Sequence, residues 1–246
     1  MLTALFADIH ANREALSACL ADAKRVGAER FIFLGDLVGY GPDPAWVVEQ
    51  VADLVEAGAL AIQGNHDAAA ITDTDTMTAV AHAAIVWTRD RLDDAHRRFL
   101  AGLPLDLNED DRLYVHASAC DPADWIYVLS PREAFQSFRA TAQRLIFCGH
   151  THIPALFNET TASLPQQHVP IEGRPMPLLA QRRWLAVLGA VGQPRDRNPA
   201  ACYGLLDTAR GRLTYVRVPY DADVTARKIL AAGLPQALAI RVATGR

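Results

Sequence analysis

The 246-residue chain reads as an α/β protein that opens with alternating strands and helices and finishes rich in strands. Two observations predict this. Over residues 2–63, short apolar runs alternate with stretches of helical periodicity, the β-α-β-α-β order that yields parallel strands joined by right-handed crossovers. Beyond Ile153 the pattern changes to short β-like pieces separated by turns containing Gly and Pro. A third observation concerns where the runs end. Five of them stop at loops carrying His, Asp or Asn: Asp8-Ile9-His10, Gly35-Asp36, Gly64-Asn65-His66-Asp67, His116-Ala117-Ser118 and Gly149-His150-Thr151-His152. The mouths of strands are where α/β sheets present ligands.

Taken in order, residues 2–7 form the first strand, which stops at Asp8. Asn12 caps a helix whose apolar face is Ala15, Leu16, Cys19, Leu20 and Ala23, ended by Gly27. Residues 31–34 are the second strand, and Gly35 allows the tight turn that exposes Asp36. Asp43-Pro44 starts the next helix, with Val47, Val48, Val51, Leu54 and Val55 as its buried stripe. Residues 60–63 are the third strand, delivering Asn65 and His66. A helical pattern, in one piece or two, covers 77–100 before Gly102-Leu103-Pro104 breaks it. Residues 112–115 form a strand leading to His116, residues 131–142 a helix, and residues 145–148 a strand ending at Gly149. Strands follow over 184–188, 203–207 and 213–218, the last two joined as a hairpin through 207–212, and helices over 224–231 and 235–239 close the chain. Residues 165–177, with four prolines and little pattern, read as a loop and a candidate lid. With no internal repeat or low-complexity tract, a single domain over 1–246 is expected.

Half the residues are hydrophobic and 21% are charged, an ordinary balance for a soluble globular chain. A net charge of −4 provides no electrostatic footprint for long nucleic acid, although a small nucleotide could still bind through metal ions. Cys19, Cys120, Cys148 and Cys202 are scattered without a CxxC pair, so reduced thiols and a cytoplasmic location are expected. Asp8 and His10 interrupt any leader-like start, and no apolar run reaches the ~18 residues of a membrane span. The sequence sets no oligomeric state.

Carboxylates and imidazoles without thiolates make a borderline-hard ligand set suited to Mn, Fe, Zn, Ni or Co. In Asp8-x-His10 an extended backbone would send both side chains to one side. Singly, Asp8 and Asn65 read as turn residues and an isolated His as a hydrogen-bonded structural residue. That reading would have to hold at every strand mouth at once, which weighs against it.

The blocks D-x-H, G-D, G-N-H-D, H-A and G-H-T-H, in this order over 8–152, resemble those of the calcineurin-like metallophosphoesterases. The later GQPRD segment, residues 192–196, is similar to a small bacterial phosphodiesterase-like branch. The resemblance implies two packed mixed β-sheets flanked by α-helices, and two divalent transition-metal ions, Mn favoured over Fe, Zn, Ni or Co. It implies Asp8, His10 and His152 on one ion, Asn65, His116 and His150 on the other, and Asp36 bridging. His66 would be the catalytic residue beside the substrate, stabilising phosphoryl oxygens or protonating the leaving oxygen. Asp67 would either orient His66 or cap the Ala-rich helix that follows, and Asn12 serves as helix cap or as support behind the ligands.

Tyr40 stands where phosphoprotein phosphatases carry the arginine of Asp-Arg-Gly, which argues against that activity and against dinucleoside tetraphosphatase. Arg195 reads equally as a phosphate contact or as a surface arginine. His82, His96 and His168 read as surface or packing residues, and Gln181-Arg182-Arg183 as a solvated strand edge. The expected activity is hydrolysis of a small phosphodiester, cyclic or nucleotide-type. A small-molecule monoesterase or pyrophosphatase, or a phosphoprotein phosphatase, is the alternative, and a non-catalytic binding scaffold the alternative of another class. An intact set of ligand positions together with His66 disfavours the scaffold.

Overall fold

The computed structural model describes residues 1–72, 77–159 and 164–246. Its first half runs β1 (Leu2–Phe6), α1 (Arg13–Arg25), β2 (Arg30–Phe33), α2 (Pro44–Glu56), β3 (Leu60–Ala61), α3 (Asn65–Ile71), α4 (Ala79–Arg89) and α5 (Asp94–Ala101). Next come β4 (Asp106–Glu109), β5 (Arg112–Val115), α6 (Pro131–Ala140) and β6 (Leu145–Cys148). The remainder is β7 (Ala155–Glu159), β8 (Gln166–His168), β9 (Met176–Pro177), β10 (Arg183–Val187), β11 (Ala201–Asp207), β12 (Arg212–Val218), α7 (Ala222–Ala231) and α8 (Gln236–Thr244).

The strands form two mixed six-stranded sheets, in the orders β3-β2-β1-β11-β12-β9 and β4-β5-β6-β10-β7-β8. β1, β2 and β3 are parallel, as the βαβ pattern requires, and β5, β6 and β10 form the parallel part of the second sheet. The alternation of each central strand sorts its side chains between layers. Ala4 and Phe6 of β1 face α1 and α2, whereas Leu5 and the following Ala7 enter the seam between sheets. Across that seam β6 contributes Leu145 and Phe147, while its Ile146 and Cys148 turn outward to α6 and Phe138. The result is helix, sheet, sheet, helix, with the expected sandwich at its centre. Phe6 stacks on Phe33 at 5.3 Å between centroids, and truncating such a ring costs about 3–5 kcal/mol. A fourth apolar cluster joins α4, α7 and α8 to Tyr40.

Several expectations are corrected. The third strand pairs only over Leu60–Ala61, because Gln63 N–H turns away to donate to the Pro104 carbonyl. The 77–100 stretch keeps its helical reading and settles it as two helices, each separately capped: Thr78 accepts from Ala81 N–H and Asp93 from His96 N–H. Asp43 precedes α2 but makes no cap bond, pairing instead with Lys228 of α7. Residues 165–177 are not a free loop or lid. β8 is the outer strand beside β7 and β9 the outer strand beside β12, so this segment edges both sheets, and Pro177 sits where a strand can dispense with a donor. Arg183 is not a solvated edge. It lies within β10 between β6 and β7, and its guanidinium donates to the Phe138, Thr141 and Gln143 carbonyls, closing the end of α6.

Candidate metal centre

The parallel strands of both sheets end at one edge of the sandwich, and the predicted loops meet there. Asp8 and His10 follow β1, Asp36 follows β2, Asn65 begins α3, His116 follows β5, and His150 and His152 follow β6. Much of this backbone is left-handed: Asp8, His10, Asp36, His150 and His152 have φ between 48° and 67°. Such values are uncommon outside glycine and persist only where the surroundings hold them. Here the loops hold one another. His10 N–H donates to the Asp36 carbonyl at 2.9 Å, Gly192 N–H to the Asp8 carbonyl at 2.9 Å, and Arg195 N–H to the His152 carbonyl at 3.1 Å. Gly64 and Gly149 permit the approach, since a Cβ on either would collide with the carboxylate of Asp36 or Asp8.

The side chains form two buried groups that share one residue: Asp8, His10, Asp36 and His152, and Asp36, His116 and His150. Within each group the potential ligand atoms lie within 4.8 Å of one another. Asn65 Oδ1 lies 3.2 Å from His116 Nε2 and completes the second group.

The protons of these rings decide what the groups can bind. His10 Nδ1 lies 3.1 Å from the Val38 carbonyl and His152 Nδ1 lies 2.6 Å from the Gln193 carbonyl, so both Nδ1 atoms carry the proton. Their Nε2 atoms then face one another at 3.0 Å as lone pair against lone pair. Protonation does not relieve this, because burial pushes both imidazoles well below their ordinary range. A cation between them does, and backbone carbonyls on the second nitrogen are the usual way a ligating histidine is oriented. His116 is arranged alike, with Nδ1 2.7 Å from the Leu34 carbonyl and Nε2 3.2 Å from His150 Nδ1 and 3.4 Å from Asp36 Oδ2. Burial lowers His116, but Asp36 beside it outweighs burial and raises it to about 9. Its proton there occupies the place a cation would take. Burial also works to raise Asp36, yet His116 and His66 hold its carboxyl well below the ordinary range. Burial pushes Asp8 up to about 8, a direction that a dication reverses. These residues therefore fit divalent metal.

His66 belongs to neither group. It is 4% exposed, its Nδ1 has no hydrogen-bond partner among the described residues, and its ring packs on Tyr40 at 4.3 Å and edge-on to His10 at 4.8 Å. Its backbone N–H donates to Asp36 Oδ1 at 2.8 Å, and burial pushes the imidazole down to about 4. Asp67 accepts from the backbone N–H of Gly64, Leu37 and Val38, so it ties the second and third loops together. Asn12 caps α1 through Ala15 N–H and donates to the Gly192 carbonyl, supporting the GQPRD loop. Arg195 is half-buried, with its guanidinium 5.6 Å from the Tyr40 ring centre and bonded to Gln193 Oε1 at 3.0 Å. Among the remaining histidines, His96 pairs with Asp93 and Glu49, His168 with Asn158, and His82 is exposed.

Three residues of the site escaped sequence reasoning. Gln193 supplies the carbonyl that orients His152. Tyr127 stacks on His150 and Trp125 meets His116 edge-on. Two aromatics in a loop directly after a candidate ligand were the available signal for the last pair.

The calcineurin-like phosphoesterase superfamily domain model matches residues 1–211. The uncharacterized protein MJ0912 of Methanocaldococcus jannaschii is 34% identical over 251 residues, spanning 100% of this chain and 98% of that protein. A metallophosphoesterase structure from Sphaerobacter thermophilus is 37% identical with a TM-score of 0.89, covering 100% of this chain and 99% of that one. Protein PH1004 of Pyrococcus horikoshii has the same fold, with a TM-score of 0.80 at 20% identity over 100% of this chain and 98% of that one.

Proposed function

The chain belongs to the calcineurin-like phosphoesterase superfamily, and on that premise we propose that it is a two-metal hydrolase of small phosphodiesters, cyclic or nucleotide-type. The observation that carries this is the pair of ligand groups joined through Asp36, with facing imidazole nitrogens that share no proton. Asp8, His10 and His152 would hold one ion, Asn65, His116 and His150 the other, and Asp36 both, with Mn favoured over Fe, Zn, Ni or Co. When bound, such ions supply Lewis acidity toward phosphoryl oxygens and lower the pKa of water.

The chain's own residues do the rest. His66 is neutral at its low pKa, and its imidazole, at the cavity wall, serves as the hydrogen-bonding group for the phosphoryl or leaving oxygen. Asp36 positions it by accepting its backbone N–H. Asp67 and Asn12 hold the loops and make no contact with substrate in this reading. Tyr40 takes the place of a phosphatase arginine, so a monoanionic diester is better matched than a dianionic monoester. Arg195 against Tyr40 favours the second reading, a small-molecule monoesterase, because it could return the missing charge. The retained ligand set and His66 speak against a non-catalytic scaffold.

The reading extends to one domain over 1–246 acting in the cytoplasm on a small phosphate ester, in keeping with free cysteines and a net charge of −4. Among the described residues no helix is long and apolar enough to cross a membrane. Metal-stripped protein reconstituted with Mn tests the proposal: it should hydrolyse bis-p-nitrophenyl phosphate, and no turnover with any of the five metals would reject it.

A further inference from the structure

The loop between β5 and α6 brings two aromatic rings to the centre that no ligand role accounts for. Tyr127 lies face to face with His150, centroids 3.9 Å apart and planes 23° apart, and remains 45% exposed, which leaves ring surface open. Trp125 meets His116 edge-on at 5.8 Å and 72°. Its φ of 52° is a strained value for a large side chain, the kind of strain that surrounding structure holds at functional sites.

Both rings wall a cavity of about 430 Å³ that opens onto Asn65, His66 and His150. Met77, just before α4, and Ala81 within it line one side, and Ala68 lines it from α3. That volume lies in the range of small-molecule sites, and walls of aromatic and small apolar residues suit a flat ring. Its charge is equally telling. No Lys or Arg lines it among the described residues, and Asp124 contributes a carboxylate. Arg195 stands just behind this wall, with its guanidinium packed on Tyr40, which does line the cavity. A neutral ring would meet stacking partners, and Asp124 could accept from its amino or hydroxyl groups.

We propose that this cavity is the subsite for one arm of the ester, and that this arm carries a flat, uncharged ring of nucleobase or aryl type. The inference rests on the phosphodiesterase reading for the position of the phosphoryl group.

The test compares ligands that share a phosphate and differ in the ring. Calorimetry on Mn-loaded full-length protein measures Kd for adenosine 5′-monophosphate and ribose 5-phosphate, with metal content determined on the same samples. The monophosphate should bind at least about tenfold tighter than ribose 5-phosphate, in the range that stacking on aromatics supplies. Trp125→Ala and Tyr127→Leu should each shrink that gap severalfold, and Trp125→Phe should restore it. Equal affinities for monophosphate and ribose 5-phosphate, or a gap that survives both substitutions, overturns the ring subsite. Failure of the phosphodiesterase reading looks different: bis-p-nitrophenyl phosphate is not turned over while the ring-dependent gap persists.

Discussion

Gly39 lies directly against His66: a Cβ on Gly39, where φ is +84°, would overlap the imidazole with Nδ1 as the nearest atom. The glycine therefore sets where the unpartnered nitrogen can stand. His66→Gln should lower kcat by about two to four powers of ten, the scale of a general acid or one oxyanion contact, with metal content near wild type. Gly39→Ala should act in the same direction by displacing the ring. Metal lost from His66→Gln, measured by elemental analysis, would make His66 a ligand instead.

Asp36 is common to both ligand groups, whereas His152 belongs to one. Loaded wild type should approach two metals per chain. Asp36→Asn should deplete both ions and abolish turnover, and His152→Ala should weaken chiefly one. Full activity in Asp36→Asn would end the two-metal account.

Charge near the phosphoryl position should set the ester preference. With Mn loaded, kcat/KM for bis-p-nitrophenyl phosphate should exceed that for p-nitrophenyl phosphate, because a diester carries one charge and a monoester close to two near neutral pH. Arg195→Ala should then reduce monoester turnover far more than diester turnover. A wild type that prefers the monoester and is indifferent to Arg195→Ala contradicts the argument.

Glu14 links α1 to α7, accepting from Lys228 Nζ and Thr225 Oγ1, each at 2.9 Å. Burial works to raise its carboxyl, but the Lys228 and Thr225 bonds prevail and hold it below the ordinary value. A depressed pKa stabilises the fold above the unfolded-state pKa and loses that contribution as pH falls through the folded one. Glu14→Gln should therefore lower the urea midpoint at pH 7, and the difference from wild type should vanish in acid below the carboxylate range.

The predicted ligands were legible because their chemistry is local: a carboxylate or imidazole where an apolar run stops needs only the strand to place it. Asp67 and Asn12 were legible as structural residues for the same reason, since each bonds to backbone a few positions away. Strands β4 and β8 were not. Their sequences, Asp-Leu-Asn-Glu and Gln-Gln-His, are polar because they lie at the two edges of one sheet, where one side of the ladder has no partner. Arg183 misled for the opposite reason, as its charge is satisfied by three carbonyls from α6 and the residues after it, contacts that exist only in the folded chain. Trp125 and Tyr127 lie in a loop without periodicity, and nothing local says which way such rings turn.

Asp8, His10, Asp36 and Asn65 come from one sheet and the segments that follow its strands, whereas His116, His150 and His152 come from the other. A cation held by both sets is a staple across the sandwich. Ions that bind the folded but not the unfolded chain add RT ln(1 + [L]/Kd) to its stability, about 2.7 kcal/mol when free metal is 100 times Kd. Occupancy of the centre and cohesion of the two sheets are thus one equilibrium. On the proposed two-metal reading, metal supply would set the stability of the fold as well as turnover, and chelation should loosen the site end of the seam before its far end.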